Sequence, residues 1–146
     1  CFGIPLSDGR LMLGQVIRFE REALMSVSCV LFEQYFASGS MAPTPDPESV
    51  VCAQYITPDL LDRGVWRTTA NHPIAIPEEL YPRKKPTSSG YIGATVEGSG
   101  IITHFANAFA GLAAWDSYLD PQYLDKLLIE PGKKPTHLLY EKDVPQ

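Results

Sequence analysis

The chain has 146 residues, 45% apolar and 20% charged. That is the length of one domain, spanning 1–146, with ordinary globular composition, and it excludes a collagen-like, coiled-coil or disordered chain. Twelve basic against 17 acidic residues leave a net charge of −5, which argues against a nucleic-acid-binding face built on bulk charge and permits a basic protein partner. No apolar run reaches the ~18 residues of a membrane-spanning helix. No signal peptide is visible, and a reduced cytoplasm is the expected compartment.

Phe2–Leu6 is a short apolar segment, and Pro5 places it at a first or edge strand. Ser7-Asp8-Gly9 is a turn in which Gly9 supplies a positive φ. Arg10–Phe19 reads as a strand with Leu11, Leu13, Ile17 and Phe19 on one face and Met12 and Val16 on the other. The two strands form a hairpin. Val27–Phe36 and Val50–Ile56 are likewise apolar on both faces, the pattern of central strands. Between them Ala37–Pro47, rich in Gly, Ser and Pro, is an exposed and mobile loop.

Thr57–Gly64 predicts a compact helix, with Thr57 as N-cap, Pro58 in the first position and Gly64 at the exit. Val65-Trp66 starts a strand or forms an anchor, and Pro77–Leu80 is one helical turn. Pro82–Gly90 is a basic, turn-rich loop, read as a solvated hairpin tip or a small anion patch. Tyr91–Val96 is a strand that Gly98-Ser99-Gly100 breaks. Ile102, Phe105, Ala106, Phe109 and Ala113 then recur at helical spacing until Gly111 ends the helix. Asp120-Pro121 opens a second helix with Tyr123, Leu124, Leu127 and Leu128 on its apolar face, stopped by Pro131-Gly132. Thr136–Tyr140 is a last short strand. The expected fold is α+β, a mostly antiparallel, strongly twisted sheet or partly open barrel with two to four short helices.

The chemistry is sparse. There is no Walker A loop, dinucleotide fingerprint, nucleophile elbow or Cys-x-x-Cys pair. His72, His104 and His137 are too far apart for a local ligand pair, so a metal would need three distant segments. Cys29 and Cys52 sit in apolar strands and read as buried thiols. Cys1 stands where an initiator Met would, leaving open a truncated start, preceding residues or a lipid-modified N-terminal Cys. No catalytic residues, metal or cofactor are therefore expected. Asp59 with Asp62, and Glu78 with Glu79, read as acids favoured at helix starts. Trp66 and Trp115 read as core anchors that need a partner for the indole N–H, alongside the turn and helix-end glycines Gly9 and Gly111. A ligand-binding barrel would instead gather Tyr35, Tyr55, Trp66 or Trp115 around a pocket.

Four segments carry a resemblance. They are Ile4-Pro-Leu-Ser-Asp-Gly-Arg10 with Gly14-Gln15-Val16; Thr57-Pro-Asp-Leu-Leu61 with Val65-Trp66; Ile92-Gly93-Ala94 with Gly98-Ser99-Gly100; and Phe105-x-x-Ala108-x-x-Gly111-Leu112-x-x-Trp115-Asp116 running into Asp120-Pro121-x-Tyr123-Leu124-Asp125-Lys126-Leu127-Leu128. In this order they resemble the immunity protein 26 family of bacterial polymorphic toxin systems, over nearly the whole chain. The last segment is the most specific. Before Gly111 the chain departs from the family's pattern, with Phe109-Ala110. The resemblance implies a small cytoplasmic protein that binds and neutralises a cognate protein toxin, with no nucleic-acid or membrane partner. Its enzymatic alternative is a metal-assisted phosphotriester hydrolase, for which the three histidines are the candidate ligands. Asp59, Asp62, Glu97 and Asp116, which flank turns or helix starts, are the acids expected to face a partner.

Overall fold

A computed structural model describes residues 1–20, 25–82 and 96–144. The expected Pro82–Gly90 loop beyond Pro82, and the expected strand from Tyr91 up to residue 95, lie outside the described residues. The fold is α+β, built on one open sheet. Strands β1 (Phe2–Pro5), β2 (Arg10–Glu20), β3 (Ser26–Ala37), β4 (Val50–Ile56), β5 (Arg67–Thr68) and β6 (Val96–Glu97) stand in the order β5-β1-β2-β3-β4-β6. Every pairing is antiparallel except β4 with β6. Among the described residues two helices accompany it, α1 (Asp59–Asp62) and α2 (Ser99–Phe109), with single 3-10 turns elsewhere.

The two-faced strands do sit inside the sheet. Cys29 and Leu31 of β3 and Met12 of β2 join the main core, which α2 covers with Ile102, Phe105, Ala106, Ala108 and Phe109. Val30, Phe32 and Leu13 join a smaller cluster with Val50 and Ile76, so side-chain alternation divides the two cores. An 11-residue helix is marginal alone. Burial of its apolar stripe, worth roughly 1.5–3 kcal/mol for each large side chain, is what holds α2. Asn107 adds a tether: it accepts from Ser7 N at 2.8 Å and donates to Pro5 O at 3.4 Å, joining α2 to the end of β1.

The smaller core is closed by the chain around residues 72–76. Gln15 is 2% exposed. Its Nε2 donates to His72 O and Pro73 O at 3.1 and 3.0 Å, and its Oε1 accepts from Ala75 N at 3.0 Å. A buried amide with three partners fixes an otherwise irregular segment against the sheet.

Three expectations are corrected. The expected helix after Asp120-Pro121 is only a 3-10 turn at Leu124–Leu127, although Leu124 and Leu127 are buried as its pattern requires. Asp120 accepts from Gln122 N and Lys126 Nζ, Asp125 from Trp115, and Tyr123 reaches Glu97. These local and tertiary bonds outcompete a helix too short to nucleate alone. The expected strand Thr136–Tyr140 reduces to one bridge, Ala114 with Leu139, closed by Trp115 N donating to Leu139 O at 2.8 Å. Gly98-Ser99-Gly100 does not merely end a strand: Ser99 and Gly100 begin α2.

Gly14 lies beneath the Phe2 ring, and a Cβ there would run into it. Gly14→Ala is expected to cost roughly 1–3 kcal/mol through overpacking, read by urea unfolding monitored on tryptophan fluorescence. Gly100→Ala, where a Cβ meets nothing, is the control and should be neutral or stabilising. Equal stabilities for the two variants would mean that the Phe2 ring is not held in place.

Candidate functional site

Two of the acids singled out from the sequence, Asp59 and Glu97, meet where β4, β6 and both helices come together. β4 and β6 run parallel with Ile56 opposite Glu97, and Thr57 N donates to Glu97 O at 3.0 Å. The Thr57 hydroxyl therefore arrives at the start of α2. It accepts from Ser99 N at 2.9 Å and donates to Asp59 Oδ1 at 2.7 Å, while Ser99 Oγ donates to the same carboxylate oxygen at 2.6 Å. Thr57 was expected to cap α1. It caps α2 instead, whose own flanking residue, Gly98, has no side chain to do so. The two hydroxyls hold the Asp59 carboxyl below its ordinary range, even though the residue is exposed. Asp62, one turn on, is exposed to solvent.

Glu97 is only 5% exposed. Tyr123 Oη donates to its Oε2 at 2.5 Å. That bond, with burial, pushes the Tyr123 phenol up to about 12. Burial and the Glu97 charge also raise Tyr118, whose ring lies 5.3 Å from that of Tyr123 and edge-on to His104 at 5.2 Å. His104 Nε2 stands 2.9 Å from Ala114 O, which makes that nitrogen the protonated one, with Ser117 Oγ at 3.2 Å. The two phenols of the cluster, raised in pKa, are poor nucleophiles near neutral pH.

The two tryptophans anchor opposite ends of α2. Trp66, fully buried, stacks on Phe2 at 5.2 Å with planes 4° apart. Its Nε1 donates to Thr103 Oγ1 at 3.0 Å, and that hydroxyl donates to Ser99 O at 2.9 Å. Trp115 packs on Phe105 and Phe109, and its Nε1 donates to Asp125 Oδ1 at 2.9 Å. Burial opposes the Asp125 charge, but bonds from Lys134 (2.8 Å) and Trp115 outweigh it and keep its pKa low. Gly9 and Gly111 take the positive φ their turns need, 92° and 81°. Asp116 accepts from Glu141 N at 2.7 Å and ties down the C-terminal turn. Of the four expected partner-facing acids, the structure thus joins Asp59 and Glu97 at one junction, keeps Asp62 beside them, and sets Asp116 beyond Trp115.

Among the described residues no three His, Cys, Asp or Glu side chains come together as a metal site. His72 belongs to the segment held by Gln15, His104 to α2, and His137 to the exposed chain beyond. Cys29 and Cys52 are buried, and burial drives both thiols far up in pKa, so neither is a thiolate nucleophile. The aromatic residues of a ligand barrel are dispersed too. Tyr35 stacks under Arg10 at 4.7 Å, Tyr55 Oη donates to Pro82 O, and both indoles are in the core. Gln15 and the Tyr118–Tyr123 pair escaped the sequence reading. A polar residue in line with Leu11, Leu13 and Ile17 was the available signal for Gln15.

Asp59 supplies a pH test. Its folded pKa is depressed, so its contribution to stability is present above the ordinary value of 3.8 and is lost as pH falls through the folded value. Wild type and Asp59→Asn should differ in Tm at about pH 6 and converge by about pH 2. A difference that persists at the acid end would show that the hydroxyl contacts, not the charge, set the effect.

No family model, no curated protein and no solved structure matches this chain.

Proposed function

We propose that this chain is a toxin-neutralising immunity protein, a non-catalytic cytoplasmic domain that binds and inhibits a cognate bacterial polymorphic toxin. The toxin partner comes from the four-segment resemblance. The observation that favours binding over catalysis is how the polar side chains are used. Gln15, Asp59, Glu97, His104, Asn107 and Asp125 all spend their hydrogen bonds joining one element to another. Such groups stiffen a scaffold, and a stiff scaffold loses little entropy when it docks.

Among the expected interface acids, Asp59 and Asp62 are exposed, Asp116 is half-buried and Glu97 is buried. The exposure of Asp59 and Asp62 favours α1 as the part of that set to probe first. Asp62 is its best probe, because Asp59 also holds α2. The overall charge of −5 suits a basic toxin, for which acids mainly raise the association rate. Among the described residues no helix is long and apolar enough to cross a membrane.

Co-expression with the toxin encoded beside it should restore growth and yield a complex that co-purifies. In that complex Asp62→Lys should slow association several-fold at low salt with an unchanged Tm, and the difference should fade near 0.5 M salt, where the Debye length is only a few ångströms. Neither rescue nor complex would end the immunity reading and direct work to metal analysis and a chromogenic phosphotriester assay.

A further inference from the structure

The chain from Pro131 to Val144 lies against the molecule without joining its sheet or its helices. It carries two 3-10 turns, Pro131–Lys133 and Glu141–Asp143, and a β-bridge from Leu139 to Ala114. None of its residues is buried. The residues just before it are placed differently. Leu127 and Leu128 are buried, and Ile129 N donates to Val51 O of β4 at 2.8 Å. The chain therefore leaves the core at Pro131-Gly132, where a Cβ on Gly132 would meet nothing.

Among the described residues, polar contacts tie this segment down. Lys133 Nζ donates to Glu48 O at 2.8 Å, and Lys134 Nζ pairs with Asp125 Oδ1 at 2.8 Å. Leu139 O accepts from Trp115 N at 2.8 Å, and Glu141 N donates to Asp116 Oδ1 at 2.7 Å. Leu138 and Tyr140 rest on the main core, but only as partly buried side chains. The two side chains of the ion pair are 36% and 31% exposed, so water and salt screen it. A segment with no buried residue loses little apolar contact when it opens, and such segments open at a lower free energy than the core around them. While closed, it engages the carboxylates of Asp116 and Asp125 and sets Lys134 Nζ 5.9 Å from the centre of the Trp115 ring.

We propose that residues 131–144 form a releasable strap, which opens as one unit while the sheet and α2 stay folded and which gates access to Asp116, Asp125 and Trp115. Opening releases Asp116 from Glu141 N and Asp125 from Lys134. It also bares the side of Trp115 that Lys134 overlies. The strap is a property of this chain alone. Only the use of the released acids by a basic partner rests on the toxin reading.

The test is amide hydrogen exchange on the 15N-labelled chain without any toxin. The Trp115 and Glu141 amides report the strap, because each bond joins it to the rest of the molecule. Phe105 and Ala106, buried within α2, report the core. Trp115 and Glu141 should show one common opening, at least about tenfold more frequent than that of Phe105 and Ala106. Lys134→Met should raise the strap opening about two- to fivefold at low salt and leave the core amides unchanged. It should also increase carbodiimide labelling of Asp116, which Lys134 does not pair with, relative to Asp62. Strap amides as protected as those of α2, or a Glu141 amide that exchanges while Trp115 stays closed, would overturn the strap. A Lys134→Met effect spread equally over all four amides, or unchanged labelling of Asp116, would overturn the gate.

Discussion

The parallel stack of Phe2 on Trp66 is the contact on which the arrangement of this molecule depends. Phe2 belongs to the first strand and Trp66 to the turn after α1, yet each is buried because the other is there. The stack needs Gly14 beneath it, since any side chain on that strand position would displace the ring. It also aims the indole N–H at Thr103, and Thr103 in turn reaches Ser99 O. Thus one aromatic pair sets the distance between β1, β2 and α2. Aromatic contacts of this kind add about 0.5–1.5 kcal/mol beyond area. Their larger effect is to allow one geometry where a collection of aliphatic side chains would allow several.

Hydroxyls and carboxylates then connect what the stack has positioned. Thr57, Asp59 and Ser99 form a closed set at the start of α2, and Glu97 with Tyr123 brings the C-terminal half against the last sheet strand. None of these bonds need be strong, because a typical internal hydrogen bond contributes only about 1 kcal/mol net. Their value is directional. A two-residue strand has too little apolar surface to choose its own orientation, and these part-buried polar contacts choose it.

Much of the sheet was legible in the sequence because alternation is a local property. Cys29 and Leu31 against Val30 and Phe32 already describe a strand covered on both sides, and the two clusters lie as that pattern requires. The second helix was misread because its apolar spacing is real but its polar residues have distant appointments. Asp125 is drawn to Trp115, and Tyr123 to Glu97. Thr57 was misread for the same reason: a hydroxyl before a helix looks like that helix's cap, and nothing local reveals that Ser99 N competes for it. Gln15 was passed over because a polar residue in a strand is unremarkable until the backbone it serves is in view.

Described residues of the segments singled out in the sequence also supply these long-range contacts. Gly14 and Gln15 admit Phe2 and hold the segment around His72; Thr57 and Asp59 meet Ser99; Trp115 meets Asp125. Those side chains are spent on one another and fix how the elements join. What remains free to vary is the surface that those contacts leave over. The exposed acids of α1 suit encounter with a positive surface.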